Sequence, residues 1–148
     1  MGVLIDSRQK KYRISLKSLR EKAQAALNAL DCPEGELSIL LVDDAQIAVL
    51  NKDYLKREGP TNVIAFPMRE GPFPDISPDL LGDVVISVET AQKESELAGI
   101  SMEERLIALM VHGILHLFGY DHETSEKDAQ EMARKNRELL DLFTNFRK

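Results

Sequence analysis

The 148-residue chain has one cysteine and three histidines, and each scarcity narrows what it does. A lone Cys32 excludes an internal disulfide framework and points to a reducing compartment, the cytoplasm. The apolar run in Met1-Gly-Val-Leu-Ile-Asp6 is too short for a secretory signal. Residues 106–118, the longest apolar stretch, are interrupted by two histidines and fall short of a membrane span. No internal repeat or low-complexity tract is present, so the expectation is one domain over residues 1–148. The net charge of −6 argues weakly against a nucleic-acid partner. Its distribution is uneven, because residues 1–30 hold seven Lys/Arg against two acids. A basic segment of this kind is either a solvated helix face or a source of phosphate contacts.

What is present is concentrated. All three histidines fall in His112-Gly-Ile-Leu-His116-Leu-Phe-Gly119-Tyr-Asp121-His122. On a helix, residues four apart are offset by about 40° and rise about 6 Å, so His112 and His116 share a face. His122 lies about 240° further round and joins them only if the helix stops. Gly119 supplies the stop, since glycine readily takes the positive φ that ends a helix and reverses the chain. Three imidazoles with one position left to water is the pattern of a catalytic zinc site, one ion per chain. Nickel or copper also accept such ligands.

Periodicity places this motif in an α+β fold, a small mixed sheet of about four strands with about five helices. Strands are expected at 3–6, 37–42, 61–66 and 82–88, with Pro67 ending the third. An amphipathic helix is expected over 16–30, and Asp43-Asp44 is an N-cap signal for a second helix to about residue 55. Residues 67–78 carry four of the six prolines and read as a long irregular connection. A third helix over 89–97 closes at Gly99, and Ser101-Met-Glu-Glu104 is a capping box for the histidine helix, which runs to Phe118. That helix is apolar on nearly every side, so it should be buried against the sheet as a zincin-like metal helix. Ser125-Glu-Lys-Asp128 caps a last helix with Ala129, Met132, Ala133, Leu140 and Phe143 expected inward.

The spacing H-x3-H-x5-H is shared with metzincin proteases, but the glutamate serving there as general base is Gly113 here. Glycine at this position fits close packing of the helix on a neighbour. The metal geometry therefore serves chemistry other than peptide hydrolysis, and a metallopeptidase is the least favoured alternative. Asp121 is a candidate proton shuttle or an anchor for an imidazole N–H, and equally a turn cap. Asp83 is a weaker candidate for the anchoring role. Tyr120 is expected to pack rather than to stack on a base.

The eleven-residue motif resembles the signature of the YbeY proteins, bacterial metal-dependent endoribonucleases of ribosomal RNA maturation. Gly59-Pro-Thr61-Asn62-Val-Ile-Ala-Phe-Pro67 and Leu81-Gly-Asp83-Val-Val-Ile-Ser87 are similar to two further segments of that family. The resemblance covers roughly residues 36–123. It implies zinc on His112, His116 and His122, Thr61 and Asn62 lining the cleft, and single-strand-preferring RNA cleavage linked to the small ribosomal subunit. The nucleophile is either metal-activated water or the neighbouring 2′-hydroxyl. The family commonly places an arginine directly after the tyrosine that precedes the first of these segments; here Leu55 follows Tyr54. Lys56 and Arg57 are the candidates to supply that charge, and Leu55 keeps open a non-catalytic, zinc-containing ribosome assembly factor.

Overall fold

The structure, a computed structural model, describes residues 2–68, 80–120 and 125–146. Its elements run β1 (Val3–Ser7), α1 (Leu16–Ala29), β2 (Glu36–Val42), α2 (Asp44–Leu55), β3 (Val63–Pro67), β4 (Leu80–Ser87), α3 (Val88–Ala98), α4 (Met102–Leu117) and α5 (Glu126–Phe146). The strands form one mixed sheet in the order β1-β2-β4-β3. β1, β2 and β4 are parallel, with Ile5 beside Ile39 and Ile39 beside Val84. β3 is antiparallel to β4 and stands at the edge, pairing Val63 with Ile86 and Pro67 with Gly82. The expected α+β architecture is the observed one.

Strand alternation divides the apolar residues between two faces. Leu37, Ile39, Leu41, Val84 and Ile86 join Leu19, Ala23, Ala26 and Leu27 of α1, the apolar residues of α4, and Met132, Leu139 and Phe143 of α5 in the main core. Val42, Ile64 and Val85 face the other way and meet Ile47 of α2. The helix bearing the histidines and the helix ending at Leu55 thus lie on opposite faces of the sheet.

Three boundaries differ from expectation. β3 begins at Val63, two residues later than expected. β4 stops at Ser87, whose hydroxyl accepts from the Thr90 N–H and caps α3, so Val88 opens a helix instead of ending a strand. In α5, Leu139 is buried and Ala133 exposed. Met132, Leu139 and Phe143 follow spacings of seven and four, one stripe of a helix, while Ala133 is turned about 100° away from Met132.

Hydrogen bonds fix the helix starts. Asp43 and Gln46 form a reciprocal capping box at α2. The next residue, Asp44, ties α2 to α3. Its carboxylate accepts from Ser87 Oγ and Thr90 Oγ1, both at 2.6 Å, and meets Lys93 Nζ at 3.1 Å. Burial opposes the Asp44 charge, but the bonds from Ser87, Thr90 and Lys93 together hold its carboxyl below the usual carboxylate range.

The contact that positions the histidine helix is at Gly113. A Cβ there would lie 2.6 Å from Val84 Cγ1 and 3.3 Å from Val63 Cγ2. Glycine lets α4 settle onto β3 and β4, as expected of it. Gly113→Ala should therefore lower stability. Overpacking costs about 1–3 kcal/mol and outweighs the roughly 1 kcal/mol that alanine contributes through helix propensity. Thermal denaturation checks this, with an internal control. In a Val84→Ala background, where the two nearest methyl groups are gone and only Val63 Cγ2 at 3.3 Å remains, Gly113→Ala should cost clearly less.

Candidate metal centre

Ser101 starts α4 by accepting the Glu104 N–H at 3.1 Å. From there the helix is buried at Leu106, Ile107, Leu109, Met110, Val111, Gly113, Ile114, Leu115 and Leu117. Only one stripe of its last three turns reaches solvent: Arg105, Ala108, His112 and His116, each partly exposed. The histidines are therefore half-buried, not fully buried as the all-round apolar pattern implied. Their imidazoles converge, with Nε2 atoms 3.0 Å apart and ring centroids 4.5 Å apart at 79°. Two nitrogens on one tetrahedral zinc at 2.0–2.1 Å stand roughly 3.3 Å apart. The pair therefore fits a divalent ion with a shift of a few tenths of an ångström. At this distance one ring nitrogen donates to the other, which of the two depending on the tautomer.

The turn after the helix is as expected. Gly119 has φ +92°, its N–H donates to His116 O at 3.0 Å, and the Tyr120 N–H donates to Leu115 O at 3.1 Å. These two bonds form a Schellman motif. Tyr120 packs against the core, which is the role expected of it. His122 and Asp121 lie outside the described residues. Among the described residues, no three metal-ligating side chains are grouped.

The remaining candidates are dispersed. Lys56 ends α2 in the left-handed region (φ 58°), and its Nζ donates to Asp53 O at 2.9 Å. Arg57 is exposed, held by its backbone N–H on Asn51 O. Both stand at the end of the helix on the sheet's other face, so a side chain from here meets the imidazoles only around edge strand β3. Leu55 is exposed beside them, and Tyr54 stacks edge-on against Phe66 at 5.5 Å. Thr61 is half-buried just before β3. Asn62 gives its carboxamide oxygen to the Val63 N–H at 2.7 Å and turns its NH₂ to the Glu94 carboxylate at 3.3 Å. Asp83 is corrected outright. It is exposed on the face away from α4, because alternation sends its neighbour Val84 toward Gly113.

Sequence reasoning missed two residues. Arg105 Nε donates to Glu94 Oε1 at 2.9 Å, which joins α4 to α3 and, through Asn62, to the start of β3. The available signal was spacing, since Arg105 precedes His112 by seven residues and so shares its face.

A histidine-bearing helix laid on a mixed sheet, its imidazoles converging at the one solvent-facing stripe, has the zincin-like arrangement of a metallohydrolase. The family profile described as "Endoribonuclease YbeY" matches residues 4–144. Curated relatives named Endoribonuclease YbeY include one from Geobacter sulfurreducens, 48% identical over 98% of this chain and 97% of its own. Another, from Syntrophotalea carbinolica, is 47% identical over 95% of both. The solution structure of TM1509 from Thermotoga maritima superposes with a TM-score of 0.70 at 25% identity, covering 98% of this chain and 91% of that one. The chain belongs to the YbeY family of endoribonucleases.

The turn gives a direct test of how the third histidine is delivered. A Cβ at position 119 would meet nothing within 4 Å, so the first cost of Gly119→Val is the left-handed backbone that glycine accepts there. The expected loss is about 1–2 kcal/mol, and on the expectation that His122 completes the zinc site, zinc binding should weaken with it. An unchanged melting temperature together with full zinc content would refute this account of the turn.

Proposed function

We propose that the chain is a zinc-dependent endoribonuclease that cleaves single-stranded RNA in ribosomal RNA maturation, with zinc held by His112, His116 and His122. The observation that carries the reading is the convergence of His112 and His116 Nε2 at 3.0 Å on the one exposed stripe of a buried helix. When bound, the ion supplies Lewis-acid polarisation of a phosphoryl oxygen. The chain's own residues position and neutralise. The two imidazoles are aimed by a helix whose depth is set at Gly113. Asp121, next to the third ligand, holds an imidazole N–H or moves a proton. Arg57 and Lys56 contribute charge from beyond β3, and Thr61 and Asn62 border the strand's approach. The cytoplasm and the small ribosomal subunit are the corresponding place and partner. Among the described residues no helix is long and apolar enough to cross a membrane.

The geometry argues against the peptidase alternative more strongly than sequence alone does. Position 113 faces Val84 and Val63 in the sheet, so a general base placed there would point into the core. The assembly-factor alternative is supported by Leu55, an exposed apolar side chain where the resemblance commonly places an arginine.

Labelled RNA tests the proposal. Metal-replete protein should cleave it, chelator should stop cleavage, and added zinc should restore it. His116→Ala should lower zinc affinity by more than about a hundredfold and abolish cleavage. Zinc content below a tenth of an equivalent after metal-replete purification, or cleavage indifferent to chelator, would overturn the reading. Co-sedimentation with small ribosomal subunits without any cleavage would favour the assembly factor.

The substitute for the family arginine is separable. The Lys56 ammonium is folded back onto Asp53 O, so Arg57→Ala should slow cleavage more than Lys56→Ala does. Loss of one positioned electrostatic contact costs up to about 10²–10³ in rate. If neither residue matters and Leu55→Arg accelerates cleavage, the charge is missing from this chain and not relocated.

A further inference from the structure

Arg105 lies on the same stripe of α4 as the two histidines. Seven residues along a helix return to within about 20° of the same direction after a rise of about 10.5 Å. Between Arg105 and His112 the stripe is occupied by Ala108, whose methyl group raises no wall. The partly exposed stripe thus runs from Arg105 at one end to the imidazole pair at the other.

The guanidinium is held but not consumed. Its Nε donates to Glu94 Oε1 at 2.9 Å, and Glu94 is in turn steadied by the Asn62 NH₂ at 3.3 Å. The Arg105 and Glu94 side chains are 30% and 32% exposed, so the pair reaches the surface. Among the described residues nothing bonds the two Nη groups of Arg105. A planar fork fixed through Nε presents its remaining N–H groups in a set direction, a geometry that matches two oxygens of a phosphate.

We propose that Arg105 is an anchor for a backbone phosphate of the RNA strand, flanking the scissile one, and that Glu94 is the positioning residue that fixes its guanidinium. This rests on the endoribonuclease reading above. The backbone positions of Arg105 and His112 are about 10.5 Å apart along the helix axis, so the anchor serves substrates of several nucleotides and is out of reach of a dinucleotide. Glu94 also subtracts charge from the stripe, which gives the anchor a signature of opposite sign at the two residues.

The test uses the zinc-loaded full chain, with two readouts: cleavage of a single-stranded 12-mer and of a dinucleotide, and fluorescence anisotropy with a 2′-O-methyl 12-mer. Arg105→Gln should weaken 12-mer binding about tenfold and reduce the dependence of log affinity on log salt by about 0.7, the value for one phosphate contact on a single strand. KM for the 12-mer should rise with kcat little changed, and dinucleotide cleavage should be unaltered. Glu94→Gln should act the other way, tightening 12-mer binding and steepening the salt dependence. If Arg105 is only a structural clamp, both substitutions lower the melting temperature and weaken binding together, and the anchor is refuted. Wild-type affinity and salt slope in Arg105→Gln refute it equally. If the unmodified protein neither binds nor cleaves RNA, the endoribonuclease reading fails and the anchor fails with it.

Discussion

The close approach of α4 to the sheet at Gly113 is the constraint on which the site depends. With Val84 Cγ1 2.6 Å from where a Cβ would stand, the helix is as deep as a glycine permits. That depth buries Met110, Val111, Ile114 and Leu115, and it leaves a single stripe open. The stripe is where the imidazoles are. Burial on the remaining sides restricts the helix to one rotational setting, and the setting decides which side chains reach the open stripe. The same contact accounts for the absence of a carboxylate base, since the position that would bear it is given to packing.

The two faces of the sheet do different work. One supports α1, α4 and α5 and builds the main core; the other meets α2 alone. β3 joins them, with Val63 and Ala65 turned toward the α4 side and Ile64 and Phe66 toward the α2 side. Because β3 is the edge strand, side chains at the end of α2 and those on α4 are neighbours only around it. This is why Leu55, Lys56 and Arg57 belong to the question of catalysis although none of them lies on the helix with the histidines.

Much of this was legible in the chain, and what was not has identifiable causes. Period-3.6 patterns located α1 and α5 because each has one well-defined apolar face, while α2, α3 and α4 were legible from their capping and stop signals and the strands from short apolar runs. Caps were legible because Asp43, Ser101 and Ser125 act on the chain within three residues. The Gly119 reversal was legible for the same local reason. The Asp83 error arose because adjacent strand residues point oppositely, and nothing short of the register with α4 says which one faces the metal helix. Arg105 went unnoticed because its significance is tertiary: it depends on Glu94 from α3 and Asn62 from before β3.

Charge was the least informative signal about position. The basic first thirty residues do not gather around the imidazoles. Lys22 of α1 pairs with Glu103, and Ser18 hydrogen-bonds to it. On α4, Glu103 is turned about 80° from Gly113 in one sense and His112 about 100° in the other. α1 therefore borders the flank of α4 opposite the histidines. The positive charge near the imidazoles is thus not a field from the basic segment. It comes from a few individually held groups, Arg105 on the stripe and Arg57 beyond the edge strand, in a protein whose net charge of −6 otherwise repels a polyanion. Placement of those cations, rather than their number, then governs how a strand lies across the imidazoles.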